Sequence, residues 1–314
     1  MGLFLTFILA LQQPQIDEAI RKGIAHLKAK ASTAGEREEQ LLLALVEVGV
    51  PPSDPTVAGM LETLLAHPPT TTRSAARQAR ILSLLDRNAY RDRLGHCAQF
   101  LVDNQSRDGR WGPGQPVEAP DLHPEPLEPP SARTPNHVFG ASSQVIFKIL
   151  FRRKVPVAET GDLENSYAAI LGLSACRSAG ILAPRETLEK ALETWRVAEV
   201  DPFRRVAALL AYQSLLHRKD PQDPALLKAM EEVEARRLPS EPQALFQLKQ
   251  TLRTWGRDQL GGKEWWPEGA KVLLDTQAAD GDWGSLEDTG AALGFLYLPR
   301  PTGIPEEPRR KSRR

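Results

Sequence analysis

Gln105-Ser106-Arg107-Asp108-Gly109-Arg110-Trp111-Gly112 recurs as Gln277-Ala278-Ala279-Asp280-Gly281-Asp282-Trp283-Gly284. Each copy follows an apolar helical run, Phe100-Leu101-Val102 and Val272-Leu273-Leu274. The residue types dictate a geometry. Glutamine in the last turn of a helix can bond the loose backbone groups there. Asp-Gly makes a tight turn with positive φ at the glycine. Tryptophan buries a large ring whose N–H needs a partner. The octet therefore reads as a clasp joining the end of one helix to the next helical hairpin. Its working residues are Gln105, Asp108, Gly109 and Trp111 in one copy and Gln277, Asp280, Gly281 and Trp283 in the other.

Further repeats flank the clasps. Gly49-Val50 follows an apolar helix and precedes one containing Leu61-Glu62-Thr63. Gly180-Ile181 and Leu192-Glu193-Thr194 repeat this arrangement at the same separation. A glycine just past a helix end takes the left-handed conformation without a Cβ penalty. Glu164-Asn165-Ser166 leads into Ala168-Ala169-Ile170 as Glu287-Asp288-Thr289 leads into Ala291-Ala292-Leu293, and both read as N-capping signatures.

The periodicity is helical nearly everywhere. Ile16, Ala19, Ile20, Ile24 and Leu27 lie on one face, and Leu41 to Val48 is apolar all round. Other helices are expected near 55–66, 73–86, 89–104, 141–151, 165–179, 185–199, 203–217, 222–236, 242–256, 266–277 and 288–297. Many start at a proline, as in Asp54-Pro55, Pro184, Asp201-Pro202, Asp223-Pro224 and Pro242, where the missing N–H had no partner anyway. No convincing period-2 strand is present. The expected class is all-α. Residues 113–135 hold eight of the 26 prolines and almost no large apolar side chain, so they read as an exposed insertion.

Composition removes several function classes. The 40 basic and 40 acidic residues cancel, which argues against a broad nucleic-acid surface. Two cysteines, Cys97 and Cys176, cannot make a disulfide framework or a four-cysteine zinc site. No apolar run is long enough for a transmembrane helix in the mature chain. Leu3 to Leu11 has the length of a secretory h-region, so residues 1–13 are a candidate signal peptide. Export to the periplasm or the exterior is then expected; without processing the segment is a first helix and the protein cytoplasmic. A single domain spans 14–298, followed by a disordered basic tail at 299–314.

The Gln-x-x-Asp-Gly-x-Trp-Gly clasp resembles the QW repeat of squalene–hopene cyclases and prenyltransferase β subunits. Trp266-Pro267-Glu268-Gly269-Ala270, the second clasp and Asp288-Thr289-Gly290-Ala291-Ala292-Leu293 together look like the last repeat of bacterial prenyltransferase/squalene-oxidase repeat proteins. The similarity covers roughly residues 16–298 apart from the insertion. It implies an α/α toroid of about six helical hairpins, with inner helices ringing a central cavity.

The chemistry of that family is less well matched. Its cyclases protonate a polyene with the middle residue of an Asp-x-Asp-Asp motif. The closest stretch is Asp162-Leu163-Glu164-Asn165-Ser166, where Asn165 replaces the last Asp. Aromatic residues are only 6%, few for a lining that stabilises carbocations. The family's zinc enzymes use Asp-x-Cys, but Cys97 follows Gly95-His96 and Cys176 follows Ser174-Ala175. No metal and no cofactor are expected. A toroidal glycosidase would need two carboxylates across one sugar, for which Asp162, Glu164 and Asp288 are the candidates. The leading expectation is a non-catalytic binding or scaffold module, holding an apolar small molecule in its cavity or a protein partner. The alternatives are a divergent terpene-cyclase-like enzyme using Glu164 and a carbohydrate-active toroid.

Overall fold

In the computed structural model, the described residues are 2–31, 37–120, 122, 124–125, 146–149, 158–217, 220–255, 259–260 and 262–297. They form twelve helices and five strands of two or three residues, so the protein is all-α in its bulk. In chain order the helices are α1 (Gly2–Lys30), α2 (Glu38–Glu47), α3 (Pro55–Ala66), α4 (Thr72–Asp86), α5 (Arg91–Asp103), α6 (Leu163–Ser178), α7 (Arg185–Arg196), α8 (Pro202–Leu215), α9 (Pro224–Glu234), α10 (Pro242–Trp255), α11 (Trp265–Thr276) and α12 (Leu286–Leu296).

Local chemistry explains the starts. Asp54, Asp201 and Asp223 each accept backbone N–H bonds from the first turn, and each precedes a proline at the first helical position. Thr71 caps α4 through Ser74 N–H. The caps of α6 and α12 are Asp162 and Ser285, three residues ahead of the expected Asn165 and Asp288. Asn165 and Asp288 instead close the cap from the third helical position. Asn165 donates to Asp162 at 2.6 Å, whereas Ser285 donates to Asp288 at 2.7 Å, so the same bond runs in opposite directions.

More than half of the residues of α2, α5, α8 and α12 are buried. Leu41 to Val46 of α2 are all buried, as are Ala292, Leu293, Phe295 and Leu296 of α12. Packing runs from α2 to α4, α4 to α6, α6 to α8, α8 to α10, α10 to α12, and from α12 back to α2. The odd-numbered helices lie against these, and α1 packs on α11 and α12. One tie within the core involves a charge. Lys249 of α10 is buried and donates to the carbonyls of Gly294, Phe295 and Tyr297 at 2.6, 3.1 and 2.5 Å. The ammonium thus satisfies loose C-terminal carbonyls of α12, the end where a cation is favourable.

Two expectations need correction. The helix expected over 141–151 is absent from its described part. Ile146–Lys148 is instead a strand, β2, pairing antiparallel with β1 (Pro124–Glu125) and parallel with β3 (Ile181–Leu182). A short run dense in β-branched and aromatic side chains has no usable period, and strand pairing decides it. The expectation of no strands fails for the same reason, and also at β4 (Gln259–Leu260) and β5 (Lys263–Glu264). The rest of the 141–151 stretch, most of the proline-rich insertion and the tail lie outside the described residues.

Candidate functional site

The clasps behave as their residue types require, twice over. Trp111 Nε1 donates to Leu101 O at 2.5 Å and Trp283 Nε1 to Leu273 O at 2.8 Å. The backbone N–H of Trp111 donates to Ser166 Oγ at 3.0 Å, and that of Trp283 to Thr289 Oγ1 at 3.1 Å. Each hydroxyl sits in the first turn of the helix that follows, so each clasp fixes where that helix begins. Gln105 Nε2 donates to Gly109 O and to Thr187 O of α7, both at 2.9 Å. Gln277 Nε2 donates to Gly281 O at 3.1 Å and to Ala19 O of α1 at 2.9 Å. Gly109 and Gly281 have φ of +87° and +94°. A Cβ there would stand 2.7 Å from Lys190 O and 2.6 Å from Lys22 O. Glycine is required on both counts.

The even-numbered helices line a cavity of about 300 Å³. Every even-numbered helix contributes to its wall. α2, α4, α6 and α10 do so at helical spacing i, i+3, i+4 and i+7, with Arg73, Ala76, Arg77 and Arg80 from α4. The first turns of α4, α6, α8, α10 and α12 all reach it, through Arg73, Glu164, Arg204, Gln243 and Glu287. The facing stripe on α10 is Gln243, Gln247 and Gln250. One wall therefore carries guanidinium groups and another carries amides.

Two of the carboxylates are tied down. Glu164 is ion-paired to Arg204, and Glu47 to Arg80. Arg204 also lies over the Tyr167 ring, 5.4 Å from its centroid. Burial and the neighbouring Arg73 and Arg80 lower the pKa of Arg77, while Glu39 and Glu287 partly oppose this. Burial likewise raises the Tyr167 phenol.

The sequence candidates are placed unevenly around this cavity. Glu164 lines it, but its partner is a cation, the opposite of the like-charged neighbour that a protonated acid donor needs. Asp162 is the α6 cap and is not in the lining. Asp288 is engaged by Ser285 and by Gln243 at 3.2 Å, and its neighbour Glu287 reaches the cavity instead. Cys97 and Cys176 are buried in α5 and α6. Burial pushes the Cys97 thiol up to about 12 and the Cys176 thiol well above its ordinary range, so neither offers a thiolate. His26 lies between Asp280 and Asp282, with ring nitrogens 3.4 and 4.0 Å from their carboxylates. These three side chains are close enough to share a cation. They also occupy the place that Thr194 and Asp108 hold at the other clasp, where Thr194 Oγ1 donates to Asp108 O at 3.0 Å.

No family model matches the chain, and no curated protein matches it. No helix among the described residues is long and apolar enough to cross a membrane.

The arginine stripe was the signal that motif reading passes over. Arg73, Arg77 and Arg80 share one helical face by spacing, as do Gln243, Gln247 and Gln250. A charged stripe ordinarily marks a solvated face. Here it faces other helices across a cavity.

Proposed function

We propose that the protein is an α/α toroid of the prenyltransferase/squalene-oxidase repeat kind that binds a ligand in its central cavity without converting it. The observation that carries this reading is the cavity wall, to which all six even-numbered helices contribute. The cyclic order of helix packing, from α2 through α12 and back to α2, supports the toroid. So does the repeated clasp, whose bonds to Ser166 and Thr289 set the starts of two inner helices.

The pairing of Glu164 and Glu47 with arginines supports binding over catalysis. General acid–base work on a polyene or a sugar needs a carboxyl group free to exchange its proton with the substrate. The arginines and glutamines set among apolar side chains in the lining favour a ligand that carries polar groups over the wholly apolar one expected from the family resemblance. Purified full-length protein should leave squalene and prenyl diphosphates unchanged over hours, followed by mass spectrometry. Robust turnover of either would overturn the reading. The same lining makes a carbohydrate-active toroid the stronger of the two enzymatic alternatives, and release of reducing sugar from a polysaccharide panel is its test.

Export remains part of the proposal. Pro14 lies inside α1, where proline costs about 3 kcal/mol in a helix interior. After removal of residues 1–13 it would become a first-turn proline, the position it tolerates best. Ile16 and Ala19, just beyond it, are buried. Secretion from its native host with a mature N-terminus near Pro14, read by intact mass, is the expected result.

A further inference from the structure

Four polar groups around the cavity have no partner. Among the described residues, Arg73 and Arg77 make no hydrogen bond or ion-pair contact, although both line the wall. Tyr167 is 9% exposed and its hydroxyl has no partner. Nε of Arg204, stacked on that same ring, has none either. A buried donor left unmade is costly, so the buried Tyr167 hydroxyl and Arg204 Nε call for an explanation, and the half-buried Arg77 and the exposed Arg73 line the same space. Three are guanidinium donors. The fourth, the phenol, can donate as well as accept. What is missing at their centre is an acceptor.

The field has the matching sign. Ion pairs cancel Arg80 against Glu47 and Arg204 against Glu164, which leaves Arg73 and Arg77 against Glu287 around the cavity. The first turns of five helices add the positive ends of their dipoles. Guanidinium forks fit carboxylate and phosphate oxygens two at a time. Across the cavity, the Gln243, Gln247 and Gln250 amides can donate to or accept from a hydroxylated or amide-bearing body.

We propose that the cavity receives a small organic oxyanion, a carboxylate or phosphate on a polar body, held by Arg77 and the Tyr167 hydroxyl and screened at the rim by Arg73. The inference rests on the binding-module reading above and supplies its ligand class. Carboxylate and phosphate sources share this chemistry, and the probes separate them.

The test uses the full chain with inorganic phosphate, citrate and glycerol as probes, read by calorimetry and by the thermal midpoint, with NMR of the probes to detect conversion. Phosphate or citrate binds and raises the midpoint, and glycerol at the same concentration does not. Whichever of the two binds more tightly names the source. Arg77→Gln weakens that binding about tenfold or more, as loss of a charge-assisted hydrogen bond should. Because it removes an unpaired, half-buried cation, it leaves the unliganded midpoint equal to or above that of the native chain. Tyr167→Phe weakens binding by a smaller factor. Arg237→Gln, an exposed charge remote from the cavity, changes nothing. Absence of binding by both anions at about 10 mM, far weaker than a micromolar site, overturns the inference, as does binding that Arg77→Gln leaves intact. A probe that binds and is chemically altered leaves the anion site standing but overturns the non-catalytic reading.

Discussion

Helices α1–α6 and α7–α12 are two versions of one plan, and each half reaches into the other. The clasp that ends α5 docks on α7, through Thr187, Lys190 and Thr194. The clasp that ends α11 docks on α1, through Ala19, Lys22 and His26, at the same spacing along the helix. Lys28 near the end of α1 bonds the cap of α3, Asp54, at 2.5 Å. Arg196 at the end of α7 bonds the cap of α9, Asp223, at 2.8 Å. The stripe Arg73, Arg77, Arg80 on α4 answers Gln243, Gln247, Gln250 on α10. The joints are alike in the two halves, and the cavity walls are not. Packing constrains the clasps to one set of side chains, whereas the lining has no such constraint and carries the chemistry.

The two joints also differ in depth. Trp111 is wholly buried and Trp283 is 8% exposed. Asp108 also receives the Gly161 N–H, while Asp280 faces solvent beside His26. Truncation should therefore hurt the first joint more. Trp111→Ala should destabilise by about 4–5 kcal/mol and Trp283→Ala by about 3, within the range for buried tryptophan. Urea unfolding monitored by far-UV circular dichroism checks both. Equal losses would mean that the second clasp is as integral to folding as the first. A loss near zero at Trp283 would mean that α1 is held to α11 and α12 by other contacts.

Glycine replacement probes the part of the joints that is the same. Gly109→Ala and Gly281→Ala each force a Cβ into a positive-φ residue and against a backbone carbonyl. Each should cost about 2–3 kcal/mol, since the left-handed conformation alone costs 1–2. The two values should agree closely, and a difference above about 1 kcal/mol would break the equivalence of the clasps. Gln105→Ala should follow at about 2 kcal/mol, because it strands the Gly109 and Thr187 carbonyls in a buried site. Gln277→Ala should cost about 1, because its partners are nearer to solvent.

Why the sequence disclosed the joints and not the cavity follows from what each residue does. Tryptophan, Asp-Gly and glutamine in one octet leave few alternative roles, so a buried ring with a bonded N–H was legible in advance, whereas the acceptors, Leu101 O and Leu273 O, follow from the packing of the helix before each clasp. The caps were legible in kind but misplaced, since Asn165 and Asp288 bond back to residues three positions earlier and look like caps themselves. Ile146 to Lys148 could not be read, because three residues carry no period and their strand exists only by pairing with Ile181 and Leu182. Arg77 was invisible for another reason. A charged stripe at helical spacing has the same sequence whether it faces water or a cavity, and only the helices opposite decide.

The smallest expected effects come from the two capping ion pairs, and they are read best by pH. Burial alone would raise the Asp223 carboxyl, but the Arg196 guanidinium and the Ala225 amide together hold it below its ordinary value of 3.8. The unfolded chain therefore binds a proton at higher pH than the folded one. The stabilisation from this carboxylate is present in full above the unfolded value and is lost as pH falls through the lower folded value. The same sign holds for Asp54, which the Lys28 ammonium and the Thr56 amide lower in turn. Asp223 has a side chain only 1% exposed, whereas Asp54 is 18% exposed and paired with a flexible lysine. Asp223→Asn should thus cost about 1 kcal/mol at neutral pH and flatten the acid limb of the stability curve below pH 4. Asp54→Asn should do both to a smaller degree. If the two variants lose stability equally at pH 7 and keep identical acid limbs, the α7–α9 joint is no stronger than the α1–α3 joint, and the deeper burial of the second half's pair confers nothing.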